Sequence, residues 1–192
     1  LLSAIKYQAD QFIPMPLEDT NIDIEVVHED LKSAKLTTLI SAAPKKLVNK
    51  IENMVEFIGL VPETIETEIS AIARLSGQLF KKTGPQTDQK SCVLLINVGV
   101  NSTTLYGFDQ SNGILIYNHL FNVGLSLFVK EIQVNLNIDS NKAAELLKAI
   151  GVSKNASYSL DSILAAAVKD FLTEIQKAIA VLSSTYGLSL SG

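Results

Sequence analysis

Cys92-Val93-Leu94-Leu95-Ile96-Asn97-Val98-Gly99-Val100-Asn101-Ser102-Thr103-Thr104-Leu105 is the stretch on which the reading of this chain turns. Cys92 to Val98 is a nearly continuous apolar run suited to a buried strand, and it breaks into a small polar turn before a second strand begins. Glycine lets the backbone approach a ligand closely, and consecutive amides flanked by hydroxyl side chains can surround phosphate oxygens. A turn rich in Gly, Asn, Ser and Thr is also what any hairpin needs, so the turn alone leaves both readings open.

Working outward, Thr104 to Phe108 and Ile114 to Tyr117 read as hairpin arms around a loop that ends in Asn112-Gly113. A further strand is expected from Leu120 to Val123, running directly into Gly124. Helices follow from Leu125 to Leu136, from Asp139 or Ser140 to near Gly151, and along the stripe Leu160, Ile163, Leu164, Ala167, Phe171, Ile175, Ala178 and Leu182.

Upstream, Lys81 to Lys90 holds no apolar residue and contains Gly84-Pro85, which makes it the expected domain break. Before it, a helix from Ala4 to Phe12 ends at Pro14 and Pro16, since proline lacks a backbone donor. Ile22, Ile24 and Val26 alternate with polar residues as in a half-buried strand, and Leu36 to Ala43 is a second one. Leu47, Val48, Ile51, Met54, Val55 and Ile58 recur at helical spacing up to Gly59, with Met54 expected to fill the core. A short strand from Pro62 to Glu66 and a helix carrying Ile69, Ile72, Leu75 and Leu79 complete this half. The apolar stripes read as core faces.

Composition excludes several classes. With 192 residues, 47% of them hydrophobic, the chain can bury a sizeable core. A formal net charge of -4 with basic residues no more than paired gives no electrostatic footprint for nucleic acid or an anionic membrane surface. No apolar stretch approaches the roughly 20 residues that span a bilayer, and no signal-peptide pattern is present, so a soluble segment is expected. The single Cys92, inside an apolar run, reads as a small buried hydrophobe and fits a reducing compartment. The chain opens on Leu1 and stops at Gly192 just after a new apolar segment begins, so truncation at both ends is expected.

Catalytic signatures are missing. His28 and His119 are far apart with no Cys, Glu or His at metal-ligand spacing, and read as surface histidines. No nucleophile elbow, Walker A loop or dinucleotide fingerprint occurs, and Glu63, Glu66 and Glu68 read as a solvated edge.

The order strand, polar turn, hairpin, third strand, glycine and helices is that of one half of the actin and Hsp70 type ATPase fold. The sequence resembles the PilM branch of the FtsA-like actin superfamily, whose corresponding turn usually reads DIGASTTTL where Asn97 to Leu105 reads NVGVNSTTL. AIKYQADQFIPMPLEDTNIDIEVV and SAAPKKLVNKIENMVEFIGLVPETIETEISAIARL are also similar to family segments, so the resemblance covers most of the chain.

This resemblance implies an α/β fold: an actin-like ATPase (ribonuclease H-like) lobe plus a small α+β inserted subdomain. The subdomain would occupy residues 1–60, the return segment and linker 61–90, and the truncated nucleotide-binding lobe 91–192. It implies that Gly99, Asn101, Ser102 and Thr103 contact nucleotide phosphates, with Asn97 at the head of the turn and Gly124 at the family's Gly-Gly pair. Glu145 and Lys148, in Ala144-Glu145-Leu146-Leu147-Lys148, would approach the ribose and base. Read without the resemblance, that pair is an exposed helical couple worth only tenths of a kcal/mol.

The implied cofactors are ATP and Mg²⁺. The implied role is a cytoplasmic scaffold of a pilus or secretion machine, peripheral to the inner membrane, holding the cytoplasmic tail of a PilN-like membrane protein in a groove beside the small subdomain. Self-association is left open, nucleic acid and direct membrane insertion are not expected, and at most weak ATPase activity is implied. Three departures stand out. Asn97 replaces an aspartate that helps hold the metal through water, removing the charge on which Mg²⁺ binding and hydrolysis depend. Leu125 replaces the second glycine and Val129 a common threonine, each narrowing the expected pocket. A pseudo-ATPase interaction module and an FtsA-like division protein are the competing readings, while a phosphotransferase would need an acid that Asn97 does not supply.

Overall fold

The computed structural model describes residues 13–31, 34–80, 91–151, 160–187 and 189–190. The expected helix from Ala4 to Phe12 and the loop from Lys81 to Lys90 lie outside these residues. The chain forms two compact units, Leu1–Leu75 and Ser76–Gly192.

In the first unit a short 3-10 turn, Leu17–Asp19, leads into β1 (Thr20–Asp30), which pairs antiparallel with β2 (Lys35–Pro44) from Thr20 opposite Pro44 to Asp30 opposite Lys35. Helix α1 (Lys45–Phe57) packs on this hairpin through the half-buried Val48, Ile51 and Val55. α2 (Glu68–Phe80) follows, and the boundary between the units falls within it. Arg74 holds Glu66 through two bonds of 2.7 and 2.6 Å, which keep the Glu66 carboxyl below its ordinary range.

Two expectations fail here. Pro62 to Glu66 is not a strand: no described strand pairs with it, and Pro62 lacks the N–H a ladder requires. Met54 is not core filling but 60% exposed, and Leu47, Ile58, Leu75 and Leu79 are exposed as well. A helical stripe marks a face, and among the described residues α1 lays that face on a two-stranded sheet.

The second unit is a four-stranded sheet in the order β5-β4-β3-β6, with helices filling the connection from β5 to β6. β3 (Ser91–Val98), β4 (Thr103–Asp109) and β5 (Ile114–Phe121) are consecutive antiparallel strands, and β6 (Ser189–Leu190) lies parallel to β3 at Ser91 and Cys92. The helices are α3 (Leu125–Leu136), α4 (Ser140–Ile150) and α5 (Leu160–Tyr186). Asp139 caps α4 by accepting from the Asn141 and Lys142 amides, both at 3.0 Å, which pulls its own carboxyl below the ordinary range.

Leu120 and Phe121 do not begin a separate strand. The strand expected to end at Tyr117 instead continues, with Asn118 opposite Tyr106 and His119 opposite Leu105. His119 Nε2 meets Glu174 Oε2 of α5 at 3.1 Å, so this histidine is a half-exposed tie between sheet and helix. The most buried strand is β4, where Thr103 to Phe108 are all buried, whereas Ile96 and Val98 of β3 are exposed. β4 has a strand along each edge, while β6 covers only the start of β3.

Two groups of side chains hold the layers. Phe128, Ile132, Ala143, Leu160, Leu164 and Ala167 unite the three helices, and Leu105, Phe121 and Ala178 pack α5 onto the sheet. Cys92 is fully buried against Leu182. Gly107 of β4 makes room for the same leucine, because a Cβ there would lie 2.9 Å from Leu182 Cδ2.

Candidate functional site

Residues 99–102 form the turn between β3 and β4, and the rigidity of both strands fixes where it sits. It is closed by the Gly99 N–H donating to the Ser102 carbonyl at 2.9 Å. Its other carbonyls face the start of α3: the Leu125 N–H donates to Gly99 O at 3.0 Å and the Ser126 N–H to Val100 O at 2.8 Å. Two of the donors that a helix N-terminus leaves unsatisfied are thereby occupied by the turn, so they are not offered to a ligand.

Gly124 makes this docking possible. A Cβ on it would lie 2.6 Å from each of Asn101 C, Ser102 N and Val100 O, a separation that real side chains do not adopt. Gly99 is similarly confined, with a Cβ falling 2.8 Å from Ser102 O. Thr103 is fully buried, and its hydroxyl donates to Val123 O at 2.6 Å, tying the base of the turn to the residue before Gly124.

What remains without a bond at the turn, among the described residues, is a set of donors. The N–H groups of Val100, Asn101 and Ser102 have no protein acceptor among the described residues, and Val100 and Asn101 are exposed. Ser126 Oγ donates to Asn101 Oδ1 at 3.2 Å, which leaves the Asn101 Nδ2 end turned away as a donor. Consecutive amides without a protein acceptor are groups that an anion's oxygens can engage.

The expected site residues are therefore placed as follows. Gly99, Asn101, Ser102 and Gly124 are brought together in one turn-to-helix junction. Asn97 stands in β3 opposite Thr104, at the foot of the turn. Thr103 belongs to the junction, with its hydroxyl already engaged. Glu145 and Lys148 are exposed on α4, and no hydrogen bond or ion pair joins them to the turn among the described residues. Of the departures, Leu125 is 45% exposed beside the turn, whereas Val129 packs against the helical core instead of facing a ligand. Ser126 and Val123 are partners that the sequence reading missed; a hydroxyl two residues beyond a helix-opening glycine was the available signal.

Mg²⁺ is not matched by this donor set. It prefers near-octahedral oxygen ligands with at least one carboxylate, and Asn97, Gly99, Asn101, Ser102 and Thr103 supply none. Among the described residues no group of three or more His, Cys, Asp or Glu could hold a metal ion.

A separate groove of about 390 Å³ lies between the end of β5 and α5, lined by residues including Asn122, Asp170, Thr173, Glu174 and Lys177. Lys177 Nζ at 2.6 Å, and then His119, hold the Glu174 carboxyl below its ordinary range. No described helix is long and apolar enough to cross a membrane.

With this geometry in view, comparison with known proteins places the chain. A family model described as type IV pilus assembly protein PilM matches residues 1–187. The chain belongs to this family. Its fold is similar to a chain of the PilM-PilN type IV pilus biogenesis complex, with a TM-score of 0.69 at 17% identity over 98% of this chain and 60% of that one. It is also similar to MreB 5 of Spiroplasma citri bound to AMPPNP, with a TM-score of 0.50 at 16% identity over 78% of this chain and 54% of that one. The fold is thus the mixed α/β, actin-like ATPase fold expected from the sequence. This PilM-family chain spans 60% of the length of the PilM-PilN complex chain it matches.

Proposed function

We propose that this PilM-family protein is a cytoplasmic actin-like scaffold of a type IV pilus assembly platform. It binds ATP at the β3–β4 turn and holds the cytoplasmic tail of a PilN-like membrane protein beside a small subdomain formed by residues 1–60. The observation that carries the nucleotide part is the junction of turn and helix, where Gly124 lies against the turn backbone and the amides of residues 100–102 have no protein acceptor among the described residues. Gly99, Asn101 and Ser102 contact phosphates, Thr103 and Gly124 hold the turn in place, and Asn97 supports its foot. Glu145 and Lys148 face ribose and base. When bound, ATP supplies a polyphosphate that the turn orients. The role proposed is binding and assembly, with at most weak ATPase activity.

The partner part is supported by membership of the family and by the similarity to a chain of a PilM-PilN complex. It is tested by titrating a synthetic PilN-like cytoplasmic tail into the full-length protein, with charge substitutions at the exposed Val26, Met54 and Phe57. Tight binding lost in at least one variant is expected. Undiminished binding in all three removes the subdomain from the interface.

A further inference from the structure

The turn carries no anionic group. From Asn97 to Thr104, and again from Asn122 to Val129, no Asp or Glu occurs. The amides of residues 100–102 have no protein acceptor among the described residues, and the Asn101 Nδ2 is a further donor.

Asn101 has two ends, and which one meets a ligand decides whether the turn favours an anion or a cation. An amide oxygen facing outward would suit a cation, and the NH₂ group suits phosphate. Ser126 Oγ, 3.2 Å from Asn101 Oδ1, engages the oxygen. Ser126 is itself fixed, because its N–H donates to Val100 O within the same junction.

The geometry points to a phosphate cradle that works through neutral donors alone, with Ser126 as the positioning residue for the Asn101 amide and no divalent cation held by the turn. The inference rests on the turn being a nucleotide-phosphate seat. It goes further in stating that the bound species is the metal-free polyphosphate. A turn whose unengaged groups are donors favours the phosphate charge and disfavours a cation beside it, while Asn97 offers no charge to offset that.

The test is calorimetric titration of ATP into the full-length protein, once in excess EDTA and once in Mg²⁺, with wild type, Ser126→Ala, Ser126→Thr and Asn97→Asp. Wild-type affinities within about threefold of each other in the two buffers are expected, a difference under 1 kcal/mol. Ser126→Ala should weaken binding about fivefold in both buffers, the effect of one modest hydrogen bond, and Ser126→Thr should restore it. A loss through general destabilisation would not be recovered by threonine. Asn97→Asp should make binding stronger in Mg²⁺ than in EDTA. Wild-type binding that requires Mg²⁺ overturns the metal-free cradle and leaves the nucleotide seat standing. Absence of binding in both buffers removes the seat and this inference with it. Unchanged affinity in Ser126→Ala overturns the role given to that residue.

Discussion

Gly124 and Asn101 meet backbone to backbone: a methyl group on Gly124 would lie 2.6 Å from the Asn101 carbonyl carbon. A helix start and a hairpin turn more than twenty positions apart in sequence are thus a single rigid piece. Gly124→Ala must push them apart, breaking the Leu125 and Ser126 bonds to the turn. Overpacking of this kind costs about 1–3 kcal/mol, to be read as a lowered midpoint in denaturant unfolding. ATP binding should fall with it.

Thr103 tests the same junction from below. Thr103→Val keeps the shape but takes from the part-buried Val123 carbonyl its 2.6 Å donor. A typical intramolecular hydrogen bond contributes about 0.5–1.5 kcal/mol, so Thr103→Val should destabilise by that order in chemical denaturation. Thr103→Ser should retain most of the stability.

Gly107 and Leu182 define a second close approach, this time between sheet and helix. Gly107→Ala places a methyl 2.9 Å from Leu182 Cδ2 and 3.1 Å from Tyr117 Cβ. We expect a loss of about 1–3 kcal/mol, partly recovered in the double variant Gly107→Ala, Leu182→Val. A thermodynamic cycle from unfolding curves measures the recovery.

Glu174 gives the acid dependence a definite sign. Lys177 and then His119 hold its carboxyl below the ordinary range in the folded protein. A depressed carboxyl stabilises the fold at neutral pH, and that contribution is lost as pH falls through the ordinary carboxylate range towards the lower folded value. Glu174→Gln should therefore lower Tm at neutral pH, with the gap to wild type closing on acidification. A constant gap across thermal melts from neutral to acidic pH would contradict this.

Much of the fold was legible because periodicity and turn chemistry are local. The apolar run at Cys92 to Val98, the Asn112-Gly113 turn and the Asp139 cap each announce an element within a few residues. The misreadings share a cause. The strand from Ile114 reads as ending at Tyr117 because the partners of Asn118 and His119, Tyr106 across the ladder and Glu174 on α5, are distant in sequence. Met54 resembled core because spacing identifies a face without showing what covers it. At the site, residue type marked the turn and the family resemblance singled out Gly99, Asn101 and Ser102 within it, but the occupation of the α3 amides by the turn carbonyls depends on tertiary docking.

The most direct test of the nucleotide seat is an ATP titration of the full-length protein followed by NMR of selectively labelled backbone amides. The account predicts saturable shifts at Asn101 and Ser102, with Glu145 responding at the same concentrations. Saturable binding that leaves the Asn101 and Ser102 amides unmoved would contradict it.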